Sequence, residues 1–219
     1  MRLLELFSGT GSFGKIAKTT KMNVVSVDIN DYNGKFIPTH KVDILEFNYK
    51  QYDKDYFDII TGSPPCIYYS ALQRAWIGKM KKDGIYTIEK HNKNLEHMDT
   101  FVKKTFEIID YFKPTLWFVE NPQSGALKNR EFMKDKPYYD IDYCMYCDWG
   151  YRKRTRIWTN KLNFDAKLCN KKCGNMKKEN DPTAKNYRYK KGHRIDLGRD
   201  ISKLERYRIP PKLIKKLFF

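Results

Sequence analysis

The sequence has no apolar run long enough to cross a membrane. None of its uninterrupted apolar stretches approaches the roughly 18 residues that a membrane span needs. The N-terminal stretch MRLLELFSGT contains no cleavage site of the signal-peptide kind. We therefore expect a soluble intracellular protein that has no membrane partner.

Cysteine is scarce, and the five cysteines are odd in number and absent from the first quarter of the chain. This usage favours a reducing compartment over a disulfide framework. Cys144 and Cys147, together with Cys169 and Cys173, have a spacing that a four-cysteine zinc site permits. Packing within strand-like sequence explains the first pair equally well. We therefore predict reduced, packed thiols and no metal, with zinc as the alternative.

The glycine-rich segment ELFSGTGSFG lacks the features of a phosphate-binding loop. No Gly-Lys-Ser/Thr follows it, and its glycines do not have the spacing of the dinucleotide fingerprint. Asp28 ends the next predicted strand, where a carboxylate can accept hydrogen bonds from ribose hydroxyls. Asp43, at the third strand end, could accept from an adenine amine. These features predict an adenosine-containing ligand without a polyphosphate, whereas a structural tight turn is the alternative for the glycines alone.

Positive residues are abundant, but their excess over acidic residues is concentrated in the last third of the chain, which carries almost all of the net +17. Residues 1–150 hold 21 Lys and Arg against 20 Asp and Glu, whereas residues 151–219 hold 22 against 6. Tyrosine and tryptophan are interleaved with these charges, as in nucleic-acid-binding segments. The pattern favours a neutral catalytic body with a polyanion-binding segment. A solvated lysine-rich face is the alternative.

Short apolar strands alternate with helical segments in the first half of the chain, which predicts an α/β fold with a mostly parallel central sheet. The strands are predicted at 2–7, 23–28, 42–47, 57–62 and 116–122, and a helix at about 94–112. Further along, the sequence predicts two strands around a basic turn, an irregular insert at 161–198 and a short amphipathic C-terminal helix. Ligands of such sheets bind beyond the carboxyl ends of the strands.

Three kinds of reactive side chain follow these strand ends. Cys66 comes after two prolines, which stiffen a loop and suit a presented nucleophile. Glu120 ends the strand LWFVE, and Arg154 and Arg156 alternate along an extended segment so that they point the same way. Taken singly, each also fits a packed thiol, a surface ion pair or a phosphate contact. Their joint order favours a catalytic site.

These motifs, in this order, resemble those of the DNA cytosine carbon-5 methyltransferases. ELFSGTGSFG resembles the first motif, VDIN and VDIL the acidic strand ends, GSPPC the Pro-Cys motif and VENP the Glu-Asn-Val motif. RKRTR resembles the Gln-x-Arg-x-Arg motif, with Arg152 in place of glutamine. RDISKLERYR and RIPPKLIKKL resemble two later motifs, so the resemblance covers residues 3–217. The compact forms of phages and large DNA viruses are the most similar.

The resemblance implies a Rossmann-like, S-adenosylmethionine-dependent methyltransferase fold with S-adenosyl-L-methionine as cofactor. The catalytic core would span residues 1–160, a small basic target-recognition insert 161–198, and a C-terminal segment that returns to the core 199–219. The residues implied for the cofactor pocket are Phe7, Ser8, Gly9, Thr10, Gly11, Asp28, Ile29, Asp43, Ile44 and Pro65.

The resemblance also implies a mechanism. The target cytosine is flipped out of the duplex, and the Cys66 thiolate adds to its ring carbon 6. Glu120 bonds ring nitrogen 3 and the exocyclic amine. Arg154 or Arg156 bonds the exocyclic oxygen, and Arg156 is favoured by its register in the motif. Carbon 5 takes the methyl group, and the loss of its proton releases Cys66.

The implied partner is double-stranded DNA, held mainly by Lys and Arg contacts to phosphates. We expect a monomer in the cytoplasm or at the nucleoid, in the host cell if the chain is viral. Three questions stay open: which DNA sequence is recognised, whether a restriction endonuclease partner exists, and how the cofactor pocket closes without the Gly-Asn that is usual in the last motif. So do three other functions: RNA (tRNA) cytosine-5 methylation, non-catalytic DNA binding, and exocyclic-amine methylation. The last would require an aromatic residue where Cys66 stands.

Overall fold

The structure, a computed structural model, describes residues 1–149, 151–170, 173–175 and 203–219. Most of the predicted insert at 161–198 lies outside these described residues. The strands are β1 (Arg2–Leu6), β2 (Asn23–Asp28), β3 (His40–Lys41), β4 (Ile59–Gly62), β5 (Met80–Lys81), β6 (Gly84–Ile85), β7 (Leu116–Pro122), β8 (Tyr138–Asp142) and β9 (Arg154–Thr159).

The helices lie between and after these strands. They are α1 (Ser12–Thr19), α2 (Ala71–Arg74), α3 (Ile88–Phe112), α4 (Lys203–Arg206) and α5 (Pro211–Phe218). Within the described ranges, no helix has the length and apolar character needed to cross a membrane.

A seven-stranded sheet organises the chain, with the strand order β3-β2-β1-β4-β7-β9-β8. The strands from β3 to β7 in this order are parallel to their neighbours, whereas β9 runs antiparallel to both β7 and β8. β5 and β6 form a separate hairpin. The predicted α/β class with a mostly parallel sheet is therefore confirmed.

Each face of the sheet is covered by its own apolar layer. The face that contains Val119 and Trp158 packs against α3, and we call it the α3 face. The face that contains Phe118 and Ile157 packs against α1 and α5, and we call it the α1 face. α3 covers its face because its apolar residues recur at spacings of three and four. Its buried apolar residues are Leu95, Met98, Val102, Phe106, Ile108, Ile109 and Phe112.

The predicted strands at 23–28 and 116–122 coincide with β2 and β7. The strand predicted at 42–47 is wrong, since β3 ends at Lys41 and the Asp43 carboxylate accepts from the Leu45 N–H at 2.9 Å in a turn. The long helix begins at Ile88 rather than near residue 94. Its N-terminus is fixed by Thr87, whose side chain accepts from the Lys90 N–H, and not by the apolar stripe that begins later.

Candidate active site at the carboxyl edge of the sheet

The turn after β1 presents its backbone at the carboxyl edge of the sheet. Phe7, Gly9 and Gly11 all have positive φ, at 53°, 51° and 67°. An added Cβ would meet its nearest atom at ordinary contact distance, 3.8 Å at Gly9 and 4.0 Å at Gly11. Glycine suits both positions because it adopts positive φ without steric strain. The turn thus leaves room for a ligand to approach the main chain.

A buried carboxylate, Glu5, holds this turn against the sheet. Its two oxygens accept hydrogen bonds from the Phe13 and Gly14 N–H groups, at 2.9 and 3.0 Å, in the first turn of α1. Burial raises the pKa of Glu5 to about 7 although both hydrogen bonds lower it. Sequence reasoning missed this residue, and the signal was an acidic residue inside the apolar strand RLLELF.

Asp28, at the end of β2, joins the turn to the neighbouring strand. Its carboxylate accepts from the Gly9 N–H at 2.7 Å and from the Asn30 N–H at 2.8 Å, so its orientation is fixed. The following side chain, Ile29, is 59% exposed and offers an apolar surface beside this carboxylate. The two residues therefore combine a hydrogen-bond acceptor with an apolar contact at one strand end.

The other residues predicted for the cofactor pocket differ in position: some lie in the turn or at the surface, and one lies in the core. Ser8 and Thr10 lie in the same turn as Gly9, and Pro65 is exposed beside Cys66. Ile44, by contrast, is only 4% exposed and packs in the core on the α3 face.

Cys66 lies in the loop after β4, which is anchored on both sides of it. Before it, the Asn121 side-chain amide donates to the Pro64 carbonyl at 2.9 Å. After it, the buried Tyr69 hydroxyl donates to the Asp99 carboxylate at 2.7 Å. The partly buried thiol is therefore carried by a loop that both β7 and α3 fix in place.

Glu120, at the end of β7, forms a small polar cluster with two residues from the region of β8 and β9. Its carboxylate accepts from the Tyr143 hydroxyl at 2.9 Å and lies 3.4 Å from the Lys153 amine. The Lys153 amine also lies 4.9 Å from the centre of the Tyr143 ring. Burial and the nearby carboxylate raise the pKa of Tyr143, so its hydroxyl stays a neutral donor.

The Cys66 thiol interacts electrostatically with the same cluster. Burial raises its pKa first, the Glu120 carboxylate raises it further, and the Lys153 ammonium lowers it. The loop that carries the thiol therefore lies beside Glu120 and its Lys153 partner at the carboxyl ends of β4 and β7, where the Asn121 amide donates to the Pro64 carbonyl. This combination can serve nucleophilic addition, because the cation favours the thiolate that attacks.

The structure does not bring Arg154 and Arg156 to this cluster. Glu120 pairs with Ile157 across β7 and β9, and the next pair is Asn121 with Arg156. Paired residues share a face and successive residues alternate, so the arginines lie on the α3 face and Glu120 on the α1 face.

The two arginines are instead bound to acidic residues of β8. Arg154 is bidentate to Asp142, at 3.1 and 2.8 Å, and Arg156 is bidentate to Asp140, at 2.7 and 2.9 Å. They do point the same way, but toward carboxylates of the neighbouring strand. Lys153, which sequence reasoning did not single out, supplies the cation near Glu120. In the RKRTR motif, Lys153 points to one face and Arg154 and Arg156 point to the other. Which of these faces lies toward Glu120 is decided only by the register in which β9 pairs with β7.

Comparison with known proteins identifies a close relative. No family model matches the chain. A protein of frog virus 3 (isolate Goorha), named as a probable DNA (cytosine-5)-methyltransferase, is 38% identical over an alignment of 228 residues. The alignment covers 99% of this chain and 98% of the relative.

Two solved structures are similar in fold. The Entamoeba histolytica methyltransferase EhMeth matches with a TM-score of 0.50 and 17% identity, over 77% of this chain and 55% of its own. A candidate DNA modification methyltransferase encoded within an E. coli prophage matches with a TM-score of 0.47 and 14% identity, over 73% of this chain and 46% of its own. The chain thus spans about half of each structure. The fold is the Rossmann-like methyltransferase fold, and by its near-full-length viral relative the chain belongs to the DNA (cytosine-5)-methyltransferase family.

Proposed function

We propose that the protein transfers a methyl group from S-adenosyl-L-methionine to carbon 5 of cytosine in DNA, with Cys66 as the nucleophile. The observation that carries the proposal is the meeting of Cys66 with Glu120 and Lys153 at the carboxyl edge of the sheet. Family membership supports the reaction class and the DNA substrate.

The edge next to Cys66 fits the proposed cofactor. Gly9 and Gly11 have positive φ and no side chain to crowd a ligand, Asp28 is oriented to accept from ribose hydroxyls, and Ile29 is exposed beside it for contact with a purine. When bound, S-adenosyl-L-methionine supplies a methyl group activated by its sulfonium. This chain's part is to hold the donor beside the loop that carries Cys66.

The first chemical step is addition of Cys66 to the flipped base. The thiol gives up its proton, and its sulfur forms a bond to ring carbon 6 of cytosine. Burial and Glu120 hold the thiol in its protonated form, and Lys153 opposes them, so we infer that Lys153 increases the thiolate fraction. Activation of the thiol would be one role of Lys153, and contact with the base, argued next, would be a second.

Glu120 then stabilises the negative charge that develops at ring nitrogen 3 by donating a proton from its carboxyl group to that nitrogen, while its second oxygen accepts from the exocyclic amine. Tyr143 keeps the carboxylate oriented through its hydroxyl. Lys153 is the cation that lies 3.4 Å from this carboxylate, and we assign to it the contact with the exocyclic oxygen that the resemblance gave to Arg156. Carbon 5 takes the methyl group and loses its proton, and the carbon–sulfur bond breaks to regenerate Cys66.

The segment that follows the Cys66 loop in the chain supports a nucleic-acid substrate. Trp76 is partly exposed, and the Lys79 and Lys81 amines lie 5.8 and 5.6 Å from its ring centre. Exposed aromatic and basic side chains together favour contact with bases and phosphates. An enzyme with this substrate acts inside the cell that contains the DNA.

Covalent trapping tests the proposal directly. We expect wild-type protein with cofactor to form a denaturation-resistant complex on duplex DNA that contains 5-fluorocytosine. Carbon 5 then carries fluorine in place of the proton whose loss would release Cys66. Cys66→Ser should form none and should methylate nothing. In parallel, 5-methylcytosine is mapped on mixed-sequence duplex DNA and on tRNA.

Each other function gives a different result in this experiment. Full activity of Cys66→Ser, with the methyl group on the exocyclic amine, would replace the covalent mechanism. Transfer to tRNA but not to DNA would assign the enzyme to RNA. Failure of the wild type both to bind S-adenosyl-L-methionine and to transfer a methyl group would leave a non-catalytic DNA-binding relative.

A further inference from the structure

Three cysteines converge outside the proposed catalytic site. The sulfur atoms of Cys144, Cys169 and Cys173 all lie within 4.8 Å of one another. Cys144 and Cys169 are buried, and Cys173 is partly buried. Neither Cys66 nor the chemistry proposed for it uses this cluster.

The backbone around the three cysteines is cross-linked by polar contacts. The Cys169 N–H donates to the fully buried Asp142 carboxylate at 2.8 Å, and the Asn175 side-chain amide donates to the Cys144 carbonyl at 2.7 Å. The sequence suggested that strand packing explains Cys144 and Cys147. Cys144 is buried, but it lies in a 3₁₀ turn over residues 143–145 and not in a strand, because β8 ends at Asp142.

The separations are close to those of a thiolate zinc site. Tetrahedral zinc with a Zn–S distance of about 2.3 Å places its sulfur ligands about 3.8 Å apart. Shifts of an ångström or less in side-chain position would bring Cys144, Cys169 and Cys173 to that spacing from separations of at most 4.8 Å. A disulfide would use two of the three sulfurs and would leave the convergence of the third unexplained.

The fourth cysteine of the predicted set, Cys147, lies outside the group of three sulfurs but only three residues after Cys144. The Cys147 thiol donates to the Tyr143 carbonyl at 3.2 Å and interacts electrostatically with Cys173. It belongs to a C-x₂-C pair with Cys144, as Cys169 and Cys173 belong to a C-x₃-C pair. Paired ligands at such spacing are typical of structural zinc sites.

We propose that Cys144, Cys169 and Cys173 bind one structural zinc ion, with Cys147 as the fourth ligand. On binding, the four thiols release four protons and the site gains a net charge of −2, since four thiolates surround one Zn²⁺. The guanidinium of Arg154, bound to Asp142, is close enough to Cys169 to interact with that charge.

The proposed zinc would connect the catalytic site to the basic last third of the chain. Tyr143, which donates to Glu120, directly precedes Cys144. Residues 173–175, at the other side of the cluster, lead into the lysine-rich segment. The ion would therefore fix the start of that segment relative to the Tyr143–Glu120 pair.

Metal analysis of the full-length protein, purified under reducing conditions, tests the proposal. We expect one zinc per chain, and we expect Co²⁺ in its place to give the absorption spectrum of tetrahedral thiolate coordination. Cys144→Ser and Cys173→Ser should lose the metal, and the melting temperature should fall by about 5 °C or more. Cys66→Ser is the matched control, because it removes a thiol elsewhere and should retain one zinc per chain.

Several results would overturn the proposal. One is wild-type protein that contains no zinc and takes up none when it is reduced and given zinc. Another is Cys144→Ser that retains zinc at the wild-type level. A third is a mass that shows a disulfide among the three cysteines in metal-free protein as purified. Because metal content and uptake are measured on the wild type, the proposal stays testable even if the serine variants fail to fold.

Discussion

The two halves of the sheet place their functional side chains by different means. In the parallel half (β3, β2, β1, β4 and β7), Gly9, Asp28, Cys66 and Glu120 all lie at or near the carboxyl ends of strands, and parallel strands bring these ends to one edge. In the antiparallel half (β9 and β8), a side chain lies near Glu120 only if the pairing register places it on the α1 face, where Glu120 lies. Lys153 meets that condition, whereas its arginine neighbours do not.

The halves also differ in how they hold a buried carboxylate. Glu5, in the parallel half, is held by two backbone N–H groups, and burial raises its pKa to about 7. Burial also acts to raise the pKa of Asp142, in the antiparallel half, but hydrogen bonds from Arg154 and Arg152 hold it below its ordinary value. The parallel half thus uses backbone to position charge, and the antiparallel half uses side-chain ion pairs. Substitutions in each half should separate these two modes.

The largest effect on stability is expected from Asp142→Asn. This change leaves the guanidinium groups of Arg152 and Arg154 without their charged partner and weakens the acceptor of the Cys169 N–H. Breaking a buried ion pair costs about 3–5 kcal/mol, which urea unfolding would measure. Asp140→Asn, at a more exposed carboxylate that binds one arginine, is the control and should cost less. Equal losses would show that burial of Asp142 does not set the strength of its pairs.

In the parallel half, Glu120→Gln should remove activity and leave the fold intact. Glutamine can still accept from Tyr143, but it lacks the carboxyl group that the proposed bonds to the base require. We expect methyl transfer to fall about 10²–10³-fold, as for the loss of one stabilising group in a transition state. Steady-state transfer and thermal unfolding measure the two effects. Glu131→Gln, at an exposed ion pair, is the matched control and should change neither.

The pH dependence of stability should depend on Glu5. Its folded pKa of about 7 is above the ordinary value of 4.5, so the folded state binds the proton more tightly than the unfolded state. Its stabilisation is therefore complete below pH 4.5 and is lost as the pH rises through 7, which amounts to about 3 kcal/mol. Urea unfolding at pH 5 and pH 8 should show this loss in the wild type and not in Glu5→Gln. Parallel pH slopes for the two proteins would contradict the assignment.

Much of the parallel half could be predicted from the sequence because its strands are contiguous apolar runs bounded by polar residues. β2 and β7 follow this rule, which also places Cys66 in the loop after β4 and Glu120 near the end of β7. β3 could not be predicted in this way. It is only His40 and Lys41, without an apolar pattern, and it exists because Val27 and Asp28 of β2 pair with it.

The antiparallel half was harder to predict because its contacts depend on pairing between distant segments. The alternation in RKRTR is visible in the sequence, but which alternate set faces Glu120 depends on the pairing of Glu120 with Ile157. The convergence of Cys144 with Cys169 likewise requires a loop to fold back onto the end of β8, as the Cys169–Asp142 hydrogen bond shows. No local pattern encodes either contact.

Lys153→Met and Arg156→Met compare the two sides of the basic segment at β9, since Lys153 directly precedes the strand and Arg156 lies within it. Since Lys153 lowers the pKa of Cys66, its loss should raise that pKa, shift the pH profile of methyl transfer to the alkaline side and reduce transfer at neutral pH about 10-fold. Lys153→Arg keeps the charge and should restore much of the profile. Arg156→Met breaks a pair with Asp140 and should lower stability without moving the profile. If instead Arg156→Met moves the profile and Lys153→Met does not, the arginine is the residue that acts on the base, and β9 must turn its other face to the site when DNA is bound.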